Sequence, residues 1–182
     1  MKKRYFYIIS IFLLLISFFL DNSIANFFVN NKIGFLDGLL LFINNIEFYI
    51  LFAFALIILL AFKKKNKILP LLLTFVLFLG ITQLVKVTVA RPRPFTKFDF
   101  PDLGETGINR SFPSGHATAT ASMLKFFEFN RILLYFWIAI TILVMFSRVY
   151  LGMHYLSDVV AGLILGYFIS DLSIFLAEKI QK

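Results

Sequence analysis

The chain has 182 residues, a length that suits one domain spanning 1–182; 60% of them are hydrophobic and 25 are Phe. A water-soluble fold of this size has no interior large enough for so much apolar side chain, so lipid must cover part of the surface. The net charge is +8 and cysteine is absent; disulfides and thiolate metal sites are excluded, and the apolar bulk directs the positive charge towards a membrane surface, with no nucleic-acid partner.

A helix needs about 20 mostly apolar residues to cross the hydrocarbon core. In chain order the stretches that qualify are 5–20 and 47–62, both short, then 68–90, 114–129, 132–150 and 156–177. The stretch 114–129 is the least apolar and is rich in Ala, Thr and Ser, which suits a helix buried among other helices. Residues 21–46 repeat apolar side chains at helical spacing (Ile24, Phe27, Phe28, then Phe35, Leu36, Leu39, Leu40, Ile43) and read as an amphipathic segment lying at the interface. The expected fold is therefore all-α: a bundle of six transmembrane helices, with an interfacial amphipathic segment between the first and second spans.

Six crossings put both termini on one side. Lys2, Lys3, Arg4, Lys63, Lys64, Lys65, Lys67, Lys125, Arg131, Lys179 and Lys182 all fall on that side, which the positive-inside rule makes cytoplasmic. The loop 91–113 and the turn around 148–154 then face outward. The basic N-terminus, its apolar run and Ser23-Ile24-Ala25 also fit a cleavable signal sequence; that reading leaves the outward placement unchanged.

Polar groups near a membrane core are expensive and are functional candidates by default. Lys86 is followed by Arg91-Pro92-Arg93-Pro94, where prolines end the helix and hold the cations extended. Crowded cations repel one another unless an anion lies between them, and the arginine fork suits phosphate oxygens; snorkelling to headgroups is the alternative for Arg91. Pro113-Ser114-Gly115-His116 reads as a helix start, with Ser114 at the cap, Gly115 permitting close backbone approach, and free N–H groups forming an anion site beside His116. Ser147-Arg148, His154 and Asp158 form the third cluster. His154 and Asp158 are four residues apart, a spacing that lets a carboxylate orient an imidazole, or simply make a structural interfacial pair. Asp171, on the last span, has no site assigned to it and reads as solvated at the interface.

Together, Lys86-x6-Arg93-Pro94, Pro113-Ser114-Gly115-His116 and Ser147-Arg148-x5-His154-x3-Asp158 closely resemble the three-part signature of the type 2 phosphatidic acid phosphatase family, in order and at every signature position. The compact chain resembles the bacterial branch that includes lipid A 1-phosphatases, undecaprenyl-diphosphatases and phosphatidylglycerophosphatases. The resemblance implies that His154 attacks phosphorus and forms a phosphohistidine. Asp158 would orient His154, and His116 would protonate the leaving oxygen and later activate water. Lys86, Arg93, Ser114, Gly115 and Arg148 would hold the phosphate. Arg91, Lys97 and Arg110 are possible headgroup contacts. No metal or other cofactor is expected, and no obligate protein partner; the expected partners are bilayer lipids and a phosphorylated lipid substrate, with 21–46 either a plain anchor or the wall of a lateral entrance. Two other classes use the same residues: a vanadate-dependent haloperoxidase, and a non-catalytic binder or transporter of lipid phosphates.

Overall fold

A computed structural model describes residues 3–43, 64–100 and 110–181. All regular structure among them is helical: α1 (Lys3–Asn30), α2 (Gly34–Ile43), α3 (Ile68–Val89), α4 (Gly115–Met123), α5 (Arg131–Tyr150) and α6 (Leu156–Ile180), with 3-10 turns at Lys65–Lys67, Pro94–Thr96 and Leu124–Phe126. Among the described residues four stretches are long and apolar enough to cross a membrane: Tyr5–Asn30, Lys65–Thr96, Arg131–Tyr150 and Leu156–Ile180. Their outward faces carry Phe12, Phe19, Val76, Leu84, Ile132 and Ile142, all exposed. A belt of this kind is tolerable only against lipid.

α3, α5 and α6 match the expected spans to within a turn. Three expectations differ. α1 does not stop at residue 20 but runs unbroken to Asn30, so residues 21–30 belong to the first crossing helix and not to a separate interfacial segment. At 28 residues it is about 42 Å long, well beyond the ~30 Å core. Its continuation buries Asp21 against the rest of the bundle, where it has charged partners. α4 is the second difference. Its nine residues and the following 3-10 turn make roughly 20 Å, too short for a full span. Ser and Thr hydroxyls within it bond back to carbonyls three and four residues earlier, as Thr118, Thr120 and Ser122 do, which lets a polar helix stand in an apolar interior. The third concerns Asp171, which is not left to solvent: it pairs with the buried Lys125 and accepts the Tyr7 hydroxyl at 3.2 Å. The expected span 47–62 lies outside the described residues.

α4 and α6 pack closely because small residues face each other. A Cβ placed on Gly162 would stand 2.8 Å from the Ser114 carbonyl oxygen, and one on Gly166 would stand 2.3 Å from that of Thr118. Ala117 and Ala121 complete the α4 side of the contact. With lipid outside, hydrophobicity gives little net drive for helix association, and close backbone approach supplies the attraction. Trp137 of α5 closes the other side of α4, donating its indole N–H to the Thr120 carbonyl at 2.8 Å. At the far end Lys67 donates to the Lys125 carbonyl at 3.0 Å, so α3 joins the tie made by Tyr7, Lys125 and Asp171. These contacts give the bundle two poles. One holds that tie; the other holds the ends of α3, α5 and the starts of α4 and α6.

Candidate active site

α3 ends at Ala90, whose φ of 49° is left-handed and whose N–H caps the Lys86 carbonyl. That conformation turns the chain sharply and sends Arg91-Pro92-Arg93 across the pole. α5 ends at Tyr150, and a tight turn follows. Gly152 takes φ +73°, and a Cβ there would also strike the Phe100 ring at 2.3 Å, so the turn requires glycine. The N–H groups of Met153 and His154 both donate to the Arg148 carbonyl at 3.1 Å. This loops His154 back over the end of α5. His154 therefore precedes α6 and is not part of a helix, while Asp158 lies in the first turn of α6.

The two side chains nonetheless meet: His154 Nδ1 is 3.6 Å from Asp158 Oδ2, with both groups buried. That is ion-pair range and longer than a hydrogen bond. Asp158 Oδ2 also accepts the Tyr155 N–H at 2.8 Å, and Oδ1 accepts Arg91 Nη1 at 2.7 Å. Since Nδ1 faces the carboxylate, Nε2 is the ring nitrogen directed away from it.

α4 joins through its cap. The Ser114 N–H donates to the Asp158 carbonyl at 2.9 Å, and the Ser114 hydroxyl accepts the Ala117 N–H at 3.4 Å. The start of α4, carrying Gly115 and His116, is thereby fixed to the first turn of α6. No described atom would lie within 4 Å of a Cβ on Gly115, so protein packing does not demand glycine there. Among the cations, Arg148 is buried beneath the His154 turn. Arg93 reaches the Met153 sulfur at 3.7 Å, one residue from His154, and Lys86 donates to the Arg110 carbonyl at 3.0 Å.

The three possible headgroup contacts separate. Arg110 presents its carbonyl to Lys86. Lys97 is exposed and donates to Asn22 at 3.0 Å. Arg91 turns inward, binding Asp158 and, through Nη2, Asp21 of α1 at 2.8 Å. Its guanidinium lies 4.1 Å over the Tyr155 ring, and burial pushes that phenol above its ordinary pKa while Arg91 draws it down. Sequence reasoning missed Asp21 and Ser157, which donates its hydroxyl to Asp21 at 2.5 Å and its N–H at 2.8 Å. It also passed over Gly162-x3-Gly166, a spacing that marks a close helix contact.

A membrane-embedded helical bundle with a buried His–Asp pair, a capped helix start and several cations at one pole is the architecture of a phosphate-handling membrane enzyme. Residues 67–180 match the model of the PAP2 superfamily, and the chain belongs to that superfamily as a membrane phosphatase. Among curated proteins it is 29% identical to an undecaprenyl-diphosphatase of Sulfolobus acidocaldarius, over 96% of this chain and 92% of that one. It is 36% identical to a lipid A 1-phosphatase of Rhizobium etli, over 56% of this chain and 47% of that one. The fold is similar to the crystal structure of a transmembrane PAP2-type phosphatidylglycerolphosphate phosphatase from Bacillus subtilis. The TM-score is 0.72 and the identity 24%, over 95% of this chain and 96% of that one.

Proposed function

We propose that the protein removes phosphate from a lipid headgroup, at the outer face of the cytoplasmic membrane, through a phosphohistidine on His154 and without a metal. The observation that carries this reading is the buried approach of His154 Nδ1 to Asp158 Oδ2 beside the cap of α4. Nε2 attacks phosphorus in line with the leaving oxygen, forming the N–P bond as the P–O bond to the lipid breaks. The Asp158 carboxylate stabilises the positive ring that results. His116 gives its proton to the leaving oxygen, then takes one from the water that cleaves the N–P bond and releases inorganic phosphate. Lys86, Arg93, Arg148, Ser114 and the Gly115 backbone spread over the equatorial oxygens. Phosphoryl transfer asks for little beyond such positioning and charge.

The substrate is a phosphate monoester or diphosphate on a lipid, most consistent with undecaprenyl diphosphate or lipid A 1-phosphate. The Sulfolobus relative, similar over nearly the whole chain, supports the first and the Rhizobium relative the second. The layout is six crossings with cytoplasmic termini. α4 with its following turn makes a shortened fourth, since α3 ends and α5 begins at opposite poles.

The test is phosphate release by purified protein in detergent with EDTA, from undecaprenyl diphosphate, lipid A 1-phosphate, phosphatidylglycerophosphate and phosphatidate. Release from one of the first two, at the highest relative rate, is expected. Release that requires an added divalent ion would overturn the metal-free mechanism.

A further inference from the structure

Asp158 has a second charged partner besides His154, and that partner is held by the first helix. Arg91 Nη1 donates to Asp158 Oδ1 and to the Ser157 hydroxyl, both at 2.7 Å, while Nη2 donates to Asp21 Oδ2 at 2.8 Å. Asp21 also takes both the N–H and the hydroxyl of Ser157. Asp21, Ser157 and Asp158 are all buried. The rings of Tyr155 and Phe18 lie 4.1 Å and 5.6 Å from the Arg91 guanidinium carbon.

The two carboxylates and one guanidinium leave a net charge of −1. A cationic ring on His154 would balance it, and that is the species formed when His154 carries phosphate. Removing Arg91 would leave two buried carboxylates without the guanidinium that bridges them, a situation relieved by protonating one of them. A protonated or rotated Asp158 would no longer present an anionic Oδ2 to Nδ1. Arg91 also fixes the rotation of the carboxylate, since it occupies Oδ1 and leaves Oδ2 for the Tyr155 N–H and the imidazole.

We propose that Arg91 and Asp21 are positioning residues for the His154–Asp158 pair, with α1 completing the catalytic pole, and that Arg91 does not serve as a headgroup contact. The inference rests on the phosphohistidine reading above. It assigns the two residues to the nucleophile's side of the reaction, and not to phosphate binding. Their loss should therefore lower kcat and leave binding of substrate and of inorganic phosphate, a ground-state anion, nearly unchanged.

The experiment compares wild type with Asp21→Asn, Arg91→Gln and Arg91→Lys, each checked for folding by thermal melting in detergent. Asp21→Asn keeps the side-chain shape and an acceptor for the Ser157 N–H, which guards against simple loss of fold. The expected result is a fall in kcat of about 10- to 100-fold for Asp21→Asn and Arg91→Gln. KM and the inhibition constant of inorganic phosphate should stay within about twofold of wild type, with partial recovery of kcat in Arg91→Lys, which keeps the charge but not the fork. A rise in KM and in the inorganic-phosphate constant at unchanged kcat would make Arg91 a headgroup ligand and overturn the proposal. Unchanged kinetics in all three variants would also overturn it. A wild-type protein that releases no phosphate from any lipid tested would be a failure of the phosphatase reading instead, so the two failures are distinguishable.

Discussion

At the level of single residues, the account depends on two side chains that cannot be replaced and several that share a load. His154→Ala removes the atom proposed to bond phosphorus, so phosphate release should be lost altogether. Asp158→Asn keeps the shape but loses the charge that favours a cationic ring; kcat should fall by roughly 10²- to 10⁴-fold with the fold retained, measured by phosphate release and thermal melting. Vanadate adopts the five-coordinate geometry of the transition state and should inhibit competitively. Arg148→Ala or Arg93→Ala should weaken that inhibition more than it weakens substrate binding, because the transition state carries the geometry these cations match.

At the level of helices, the seam between α4 and α6 fixes the start of α4, which carries His116, to the first turn of α6. Gly166→Ala puts a Cβ 2.3 Å from the Thr118 backbone oxygen, which has no flexible side chain to yield. Such overpacking costs about 1–3 kcal/mol, so the melting temperature should drop, and activity should fall with it as α4 shifts. The tie at the opposite pole behaves differently. Lys125→Met strands Asp171 and should lower the melting temperature, while Lys125→Met with Asp171→Leu should recover part of the loss. Neither should change kcat, because Asp171 lies 13 residues, about 20 Å, from Asp158 along α6. Much of this was legible in the sequence. Charges and prolines inside apolar stretches marked the residues that the fold gathers at the proposed catalytic pole, and apolar length marked α3, α5 and α6. What was not legible depended on partners distant in sequence. Asp21 stands at the end of an apolar run and looks interfacial until α1 delivers it to Arg91, 70 residues away. Lys125 and Asp171 looked like unrelated end charges until their helices packed. α4 stops at Met123 and passes into a 3-10 turn, an end that no proline or glycine in the sequence marks.

At the level of the whole molecule, the proposed orientation places the catalytic pole outside and the Lys125–Asp171 pole inside. The chain contains no cysteine, so single cysteines report without background. In intact cells, Lys97→Cys should react with a membrane-impermeant maleimide, whereas Lys179→Cys should react only after permeabilisation. The reverse pattern would invert the topology. In that proposed orientation a lipid would present its headgroup from the outer leaflet while its chains stay in the bilayer, against the apolar belt of α1, α3 and α5. The central claim is the covalent intermediate on His154. The most direct measurement is to quench the enzyme with base during turnover of its best lipid and locate any phosphoryl group by mass spectrometry. The account predicts a base-stable, acid-labile phosphoryl group on the peptide that contains His154, absent from His154→Ala. Steady phosphate release with no phosphopeptide under these conditions, or with full activity retained by His154→Ala, would contradict it.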